Sequence, residues 1–191
     1  MNEFLKVSQL FSPLLLGLAF HGLCIKFGWL RALAVPIDNG LTFRGERVFG
    51  DNKTYRGLIA VGLGAALGCL LERIISLEIE TSAFNELTKF SILGALAFGF
   101  AFGVAAMLSE LPNSFIKRQS KIEPGAAGKG AIGSLFFFLD QVDLLIGSWV
   151  ILAFILPVTI ERILWSIAFL FVAHQVMTIV GYCLGMRVTP R

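Results

Sequence analysis

Long apolar stretches separated by short polar segments dominate the chain. Five of them approach the ~20 residues that a helix needs to cross the hydrocarbon core of a bilayer. We predict one spanning helix in each, at about residues 8–30, 57–77, 91–109, 144–160 and 163–186. A sixth stretch, 131–139, is too short to span, and we expect a surface or re-entrant segment leading into the fourth helix. The pattern predicts an all-α integral membrane protein with five transmembrane helices.

Charged and small residues inside these stretches refine the prediction. Glu72 and Arg73 end the second one, and we expect their side chains to extend to the membrane interface. Glycines recur at small-xxx-small spacing, which lets helices approach closely: Gly64 with Gly68, and Gly99 with Gly103.

Composition agrees with a membrane protein. Of the 191 residues, 56% are hydrophobic and 15% are charged, whereas soluble domains carry roughly 25% charged residues. We expect residues 1–191 to form a single polytopic domain. The sequence is compatible with a monomer and with a homo-oligomer. Nucleic-acid binding is disfavoured because the cations lie in short loops and form no continuous stripe. Cys24, Cys69 and Cys183 lie in apolar stretches without a CxxC pair, which indicates packing rather than disulfides.

The loop charges are asymmetric. Ten cations fall in the loops near 26–56 and 110–130, against three in the other two loops. The positive-inside rule therefore places the N-terminus outside, and both basic loops and the C-terminus in the cytoplasm of a cell-membrane protein. The ten cations are Lys26, Arg31, Arg44, Arg47, Lys53, Arg56, Lys117, Arg118, Lys121 and Lys129.

A carboxylate pair is the first candidate for chemistry. Asp140 and Asp143 are three residues apart at the expected start of the fourth span, so a helix places both on one face. Two like charges beside lipid are costly without a cation, and Mg²⁺ prefers one or two carboxylates together with substrate phosphates. The alternative is that Asp143 caps a helix or pairs with a loop arginine.

The basic loops supply candidate phosphate ligands. Asn113, Ser114, Lys117 and Arg118 cluster amide, hydroxyl and cations after the third span, where the plainer interpretation is a pair of interfacial anchors. The segment Gly50–Gly57 contains Lys53, Thr54 and Arg56 and opens the second helix, whose N-terminal amides favour anions. Asp38 and Arg47 lie in the same loop and are candidates for the same site.

Three further polar residues have two interpretations each. His21 and His174 lie within spans, where a hydrogen bond between helices is the commoner role than catalysis. Glu110 ends the third span, and a structural pair with a loop cation is as well supported as a catalytic role.

The two loops together resemble the CDP-archaeol synthase family, which consists of membrane-embedded CTP-dependent cytidylyltransferases. The resemblance rests on P-I-D-x-G from Pro36, R-x-x-G-D-x-K-T-x-R-G from Arg47, P-N-S-F-I-K-R from Pro112 and D-Q-x-D from Asp140. It implies that CTP and a lipid phosphate, a dialkylglycerol phosphate or phosphatidate, give a CDP-activated lipid and pyrophosphate with Mg²⁺. By matching motif positions, it implies metal binding by Asp140 and Asp143. It assigns catalytic cations to Lys53, Arg56, Lys117 and Arg118.

Two other functions were weighed against this one. A membrane CDP-alcohol phosphotransferase would need a D-G-x-x-A-R run, which the chain lacks. A non-enzymatic lipid-phosphate carrier or scaffold would explain the basic loops but not the carboxylate pair.

Overall fold

Five long α-helices make up most of the protein. The computed structural model describes residues 2–78, 83–123 and 130–183. The helices are α1 Glu3–Lys26, α2 Tyr55–Glu78, α3 Ile92–Gln119, α4 Gly130–Leu152 and α5 Ile160–Cys183. Two short 3-10 helices, Arg31–Leu33 and Asn85–Lys89, and two strands, β1 Thr42–Phe43 and β2 Glu46–Arg47, lie in the connections. All five helices are long and apolar enough to cross a membrane, which confirms the predicted number of spans.

The third and fourth helices differ from the prediction in their bounds. Helix α3 continues through Pro112 to Gln119, so the polar segment expected after it is helical. Helix α4 begins at Gly130, so the surface or re-entrant segment predicted for 131–139 is wrong. Asp140 and Asp143 consequently lie in the middle of α4 and not at its entrance. The physical reason is that their charges are partnered by side chains of α3, so they do not end the helix.

Glycines set the spacing between the first three helices. A Cβ atom added at Gly68 would lie 2.6 Å from Cα of Pro13 on α1, and one at Gly103 would lie 2.6 Å from the carbonyl oxygen of Val61 on α2. Gly64 and Gly99 make equally close approaches to α1 and α2. The close approach predicted from the small-xxx-small spacing is therefore confirmed.

The end of the bundle that carries the N-terminus is held by polar contacts between helices. Glu72 is buried and accepts hydrogen bonds from Ser12 Oγ (2.6 Å) and Gln9 Nε2 (2.7 Å) of α1. Glu72 therefore bonds between α1 and α2, and its expected place at the membrane interface stays a prediction. Arg162 of α5 pairs with Glu3 of α1 at 3.3 Å.

At the other end, the long connection between α1 and α2 folds back on itself. β1 and β2 form a small antiparallel hairpin, and Pro36 forms an isolated bridge with Thr54. The hairpin packs on the last turns of α3, where the Phe43 and Phe115 rings lie 5.8 Å apart and Gln119 Nε2 donates to the carbonyl oxygen of Arg47 (3.3 Å). The first basic loop therefore lies at the end of the bundle where α3 leads into the second.

Candidate active site

The loop before α2 is organised around the buried carboxylate of Asp38. One oxygen accepts from Arg47 Nη2 (2.6 Å) and from the amide of Gly40 (3.1 Å). The other accepts from the amides of Phe49 (2.9 Å) and Gly50 (3.0 Å). Four donors on one carboxylate fix the path of the loop between residues 38 and 50.

These hydrogen bonds also keep the carboxyl group of Asp38 ionised. Burial alone would raise its pKa, but the bond from Arg47 and the backbone amides outweigh it and hold the pKa well below its usual range. The stabilisation from this carboxylate is thus complete above the ordinary Asp value of ~3.9 and lost only as the pH falls through the lowered pKa.

Arg47 is shared between two carboxylates. Its guanidinium contacts Asp38 and, through Nη1, Asp51 at 2.6 Å, and the bond with Asp38 raises the pKa of Arg47. The ion pair between Asp38 and Arg47 therefore stabilises the fold of the loop. Their predicted contact with substrate stays a prediction.

Thr54 and its neighbours begin α2. The Thr54 hydroxyl accepts from the amide of Gly57 (3.3 Å), which caps the helix N-terminus. Arg56 lies in the first turn, and its Nε is buried with no hydrogen-bond partner among the residues that the structure describes. The capping role accounts for Thr54 without a substrate, whereas Arg56 retains an unused donor.

Lys53 crosses from this loop to α3. Its ammonium forms an ion pair with Glu110, and the two side chains are only 17% and 16% exposed. A cavity of about 200 Å³ opens beside the pair, lined also by His21, Met107 and Leu111. His21, considered above as a partner between helices, thus borders the same space as Lys53.

A second polar cluster joins α3 to α4. Lys117 Nζ contacts both oxygens of Asp140 at 2.5 Å. Asn113 Nδ2 donates to Asp140 Oδ1 (2.7 Å) and to Asp143 Oδ2 (3.1 Å). Both aspartates therefore meet one side chain of α3, which confirms that their spacing places them on one face. We call Asn113, Lys117, Asp140 and Asp143 the carboxylate cluster.

The two polar groups adjoin along α3. Glu110, Asn113 and Lys117 are spaced by three and four residues, so they share one face of the helix. The Lys53–Glu110 pair and the carboxylate cluster thus lie along one face of α3 at this end of the bundle.

Arg118 differs from its neighbour. It is 7% exposed, and in the described part of the chain neither Nε nor Nη1 has a hydrogen-bond partner. Ser114, one turn earlier, is also buried. Buried polar atoms nearly always have partners, so these two guanidinium nitrogens without hydrogen bonds indicate a place where an anion can bind.

The carboxylate cluster contains oxygen ligands for a divalent metal. No group of three or more His, Cys, Asp or Glu side chains close enough to hold a metal occurs within residues 2–78, 83–123 and 130–183. Asp140 and Asp143 nevertheless present carboxylate oxygens together, and the buried Oδ1 of Asn113 has no hydrogen-bond partner in these ranges. Mg²⁺ commonly takes one or two carboxylates and completes its shell with substrate phosphates and water. The donor set fits such an ion.

Of the predicted site residues, the structure brings Asn113, Lys117, Asp140 and Asp143 together and joins Lys53 to α3. Glu110, for which the sequence supports a structural and a catalytic role equally, is the residue of α3 that pairs with Lys53. Its spacing from Asn113 and Lys117 is the signal that could have identified it, but ending the third helix at residue 109 concealed that spacing.

Comparison with known proteins shows what this arrangement resembles. A family model described as CarS-like: CDP-archaeol synthase matches residues 22–190. The CDP-archaeol synthase of Methanoculleus marisnigri is 33% identical over 162 residues, covering 81% of this chain and 89% of the relative. That of Halorubrum lacusprofundi is 34% identical over 168 residues, covering 81% and 83%.

A solved structure also matches. It is described as "Structural insight into an intramembrane enzyme for archaeal membrane lipids biosynthesis" and has a TM-score of 0.65 at 23% identity. The match covers 92% of this chain and 94% of the other. At this identity it shows a shared fold.

Proposed function

The chain belongs to the CarS-like family of CDP-archaeol synthases, and we propose that it makes a CDP-activated glycerolipid from CTP and a lipid phosphate. A CDP-archaeol product contains a cytidine diphosphate group on a dialkylglycerol. CTP and a dialkylglycerol phosphate are the substrates that yield it with pyrophosphate as the second product. Phosphatidate is the ester-lipid alternative.

The proposed reaction is a cytidylyl transfer. An oxygen of the lipid phosphate forms a bond to the α-phosphorus of CTP, while the bond from that phosphorus to the α–β bridging oxygen breaks. Pyrophosphate leaves with the bridging oxygen and its electron pair. The second pKa of a phosphate monoester is ≈ 6, so the attacking oxygen is already largely ionised near neutral pH. The reaction accordingly needs no strong general base among the side chains.

One observation carries the proposal for this chain: the guanidinium of Arg118 is buried, its Nε and Nη1 have no hydrogen-bond partner in the described residues, and it adjoins Lys117 of the carboxylate cluster in the sequence. Two polyanionic substrates repel each other, so their site must supply positive charge that is already in place. Arg118 and Arg56 retain unused donors, and Lys117 and Lys53 add ammonium groups nearby. We assign the triphosphate to these four cations.

We also propose that the enzyme uses Mg²⁺, held by Asp140 and Asp143. When bound, the ion would neutralise charge that develops on the phosphate oxygens. Lys117 contacts both oxygens of Asp140 at 2.5 Å in the substrate-free protein. Its ammonium thus lies beside the carboxylate that would hold the ion and is close enough to serve as a further cation for a phosphate.

The substrates would meet at the basic end of the bundle. Lys53, Lys117 and the hairpin all lie at this end, where the polar headgroup of a lipid can leave the hydrocarbon region. We propose that this end faces the cytoplasm, because the loop cations are concentrated there. CTP would then arrive from the cytosol while the lipid tails stay between or beside the helices.

The test is direct. Purified protein, in detergent and in liposomes, is given radiolabelled CTP and Mg²⁺ with dialkylglycerol phosphate or with phosphatidate. We expect a labelled CDP-lipid and stoichiometric pyrophosphate, with little product when ATP replaces CTP. Omission of lipid and addition of EDTA are the controls.

The alternative is a carrier or scaffold that binds lipid phosphate without reaction. It predicts binding of both lipid phosphates and no labelled product in either preparation. That outcome would end the cytidylyltransferase proposal.

A further inference from the structure

We propose that Glu110 is a positioning residue, whose carboxylate holds the Lys53 ammonium where it meets a substrate phosphate. This inference rests on the cytidylyltransferase activity proposed above and adds a residue that the loop motifs do not contain. Its role is to act through Lys53 and not to touch the reacting atoms.

Both ends of the Lys53 side chain are fixed in the structure. The loop holds the backbone, since the Lys53 carbonyl oxygen accepts from the amide of Ile37 (2.8 Å) and its amide donates to Gly50 (3.3 Å). The ion pair with Glu110 holds the ammonium. A lysine side chain, on its flexible four-carbon stem, otherwise samples many rotamers. Glu110 therefore determines where the charge of Lys53 lies.

That position is next to the proposed nucleotide site. Glu110 shares one face of α3 with Asn113 and Lys117, and both of these side chains contact Asp140 of α4. The pair thus brings a cation of the first loop to the carboxylate cluster between α3 and α4. In the described residues, Lys53 forms an ion pair with Glu110 and with no other residue of α3.

Lys53 keeps the capacity to bind a phosphate. An ammonium has three N–H donors, and one carboxylate does not use all of them. The adjoining cavity of about 200 Å³ gives a phosphate room to reach the ammonium beside His21 and Thr54. The side chain is thus placed by Glu110 and open toward the cavity.

The charge of Glu110 itself gives the proposal a distinctive signature. A carboxylate repels a polyphosphate, so Glu110 weakens substrate binding while it improves the placement of Lys53. Glu110→Gln preserves size and removes the charge. We expect kcat to fall about 10- to 100-fold, as misplaced groups commonly cause, while KM for CTP stays unchanged or falls. A purely structural role would instead lower thermal stability and raise KM.

The experiment is a double-mutant cycle on kcat and KM for CTP, with Glu110→Gln, Lys53→Ala and the double variant. If Glu110 acts through Lys53, the double variant should match Lys53→Ala within about twofold, because the second substitution has nothing left to displace. Glu110→Asp, which keeps the charge on a shorter stem, should recover part of the lost kcat. If the Glu110→Gln protein does not insert into the membrane, Glu110→Asp takes its place in the cycle. Glu86→Gln is the matched control, since it removes an exposed carboxylate–lysine pair with Lys89 outside the site.

The outcomes separate the two proposals. Wild-type protein that makes no CDP-lipid overturns the proposed function, and this inference with it. If the wild-type protein turns over CTP but Glu110→Gln lowers kcat as much in the Lys53→Ala background as in wild type, the positioning role alone is overturned. A raised KM with unchanged kcat in Glu110→Gln does so as well.

Discussion

Lys117 and Arg118 are neighbours in the sequence, yet α3 gives them different surroundings. Successive residues of a helix point about 100° apart. Lys117 is paired with Asp140, while Arg118 is buried with donors that have no partner among the described residues. Lys117 therefore balances the carboxylate cluster before substrate arrives. The buried guanidinium of Arg118 remains available to bind an anion, and its burial lowers the stability of the substrate-free protein.

We predict that Arg118→Met separates stability from function. Removing a buried charge that has two nitrogens without hydrogen bonds relieves its desolvation cost, so the substrate-free variant should melt no lower than wild type. CTP should raise the melting temperature of wild type through binding to the native state, and this increase should largely vanish in the variant. Thermal unfolding with and without CTP measures both. A variant that melts lower but keeps the full CTP-induced increase would contradict the anion-binding role.

The aspartates of α4 give the second residue-scale prediction. Asp140→Asn or Asp143→Asn should leave the protein inserted in the membrane and lower turnover by at least about 100-fold. This is more than the loss of a group that only hydrogen-bonds a metal ligand commonly causes.

Lys117→Ala should raise KM for CTP and leave measurable turnover, because other cations remain. Rates at limiting and saturating Mg²⁺ provide the measurement, and Glu161→Gln at the opposite end is the control. Near-normal rates in both Asn variants at limiting Mg²⁺ would exclude the metal-binding role.

At the scale of elements, the predicted and observed helices differ where charges are paired across helices. Hydropathy ended the third span at residue 109 and delayed the fourth to 144, because Glu110, Lys117 and Asp140 interrupt the apolar pattern. In the structure these same residues pair with partners on other elements, so the helices continue through them. The number of spans could be predicted from the sequence because it depends on local hydropathy. The pairing could not, because the partners lie 23 to 57 residues apart.

The arrangement of the candidate site was predictable only in part. The motifs single out Lys53, Lys117 and both aspartates as candidates, since their residue types fit phosphate and metal chemistry, and their roles stay predictions. The motifs did not distinguish residues that hold the loop from those that remain available. Asp38, with four donors on its carboxylate, shows this distinction only in three dimensions.

The α3–α4 contact offers a prediction at this scale. A Cβ added at Gly147 would overlap the backbone carbonyl of Ala105, which cannot move aside as a flexible side chain could. Gly147→Ala should therefore separate the two helices, lowering stability by about 1–3 kcal/mol and reducing turnover by displacing Asp140 and Asp143. Gly94→Ala is the matched control, since its added Cβ would meet only a side-chain atom of Phe90 at 3.3 Å and one of Ser91 at the same distance. Equal melting temperatures and rates for the two variants would refute the packing argument.

For the whole molecule, the decisive question is which side of the membrane the basic end faces. The hairpin packs on the end of α3, so both basic loops leave the bundle at one end, and the connection near residues 83–91 lies at the other. We predict that the basic end is cytoplasmic and the N-terminus outside, because the sequence places ten cations in the two basic loops and three in the other two. Lys129, one of the ten, lies outside the residues that the structure describes. Single cysteines in a cysteine-free background test this in intact cells with a membrane-impermeant reagent. Thr42→Cys and Glu123→Cys should react only after the cells are opened, whereas Glu86→Cys should react at once. The reversed pattern would place the carboxylate cluster and Lys53 on the outer side, where cytosolic CTP cannot reach them, and would reject both the orientation and the proposed route of the nucleotide.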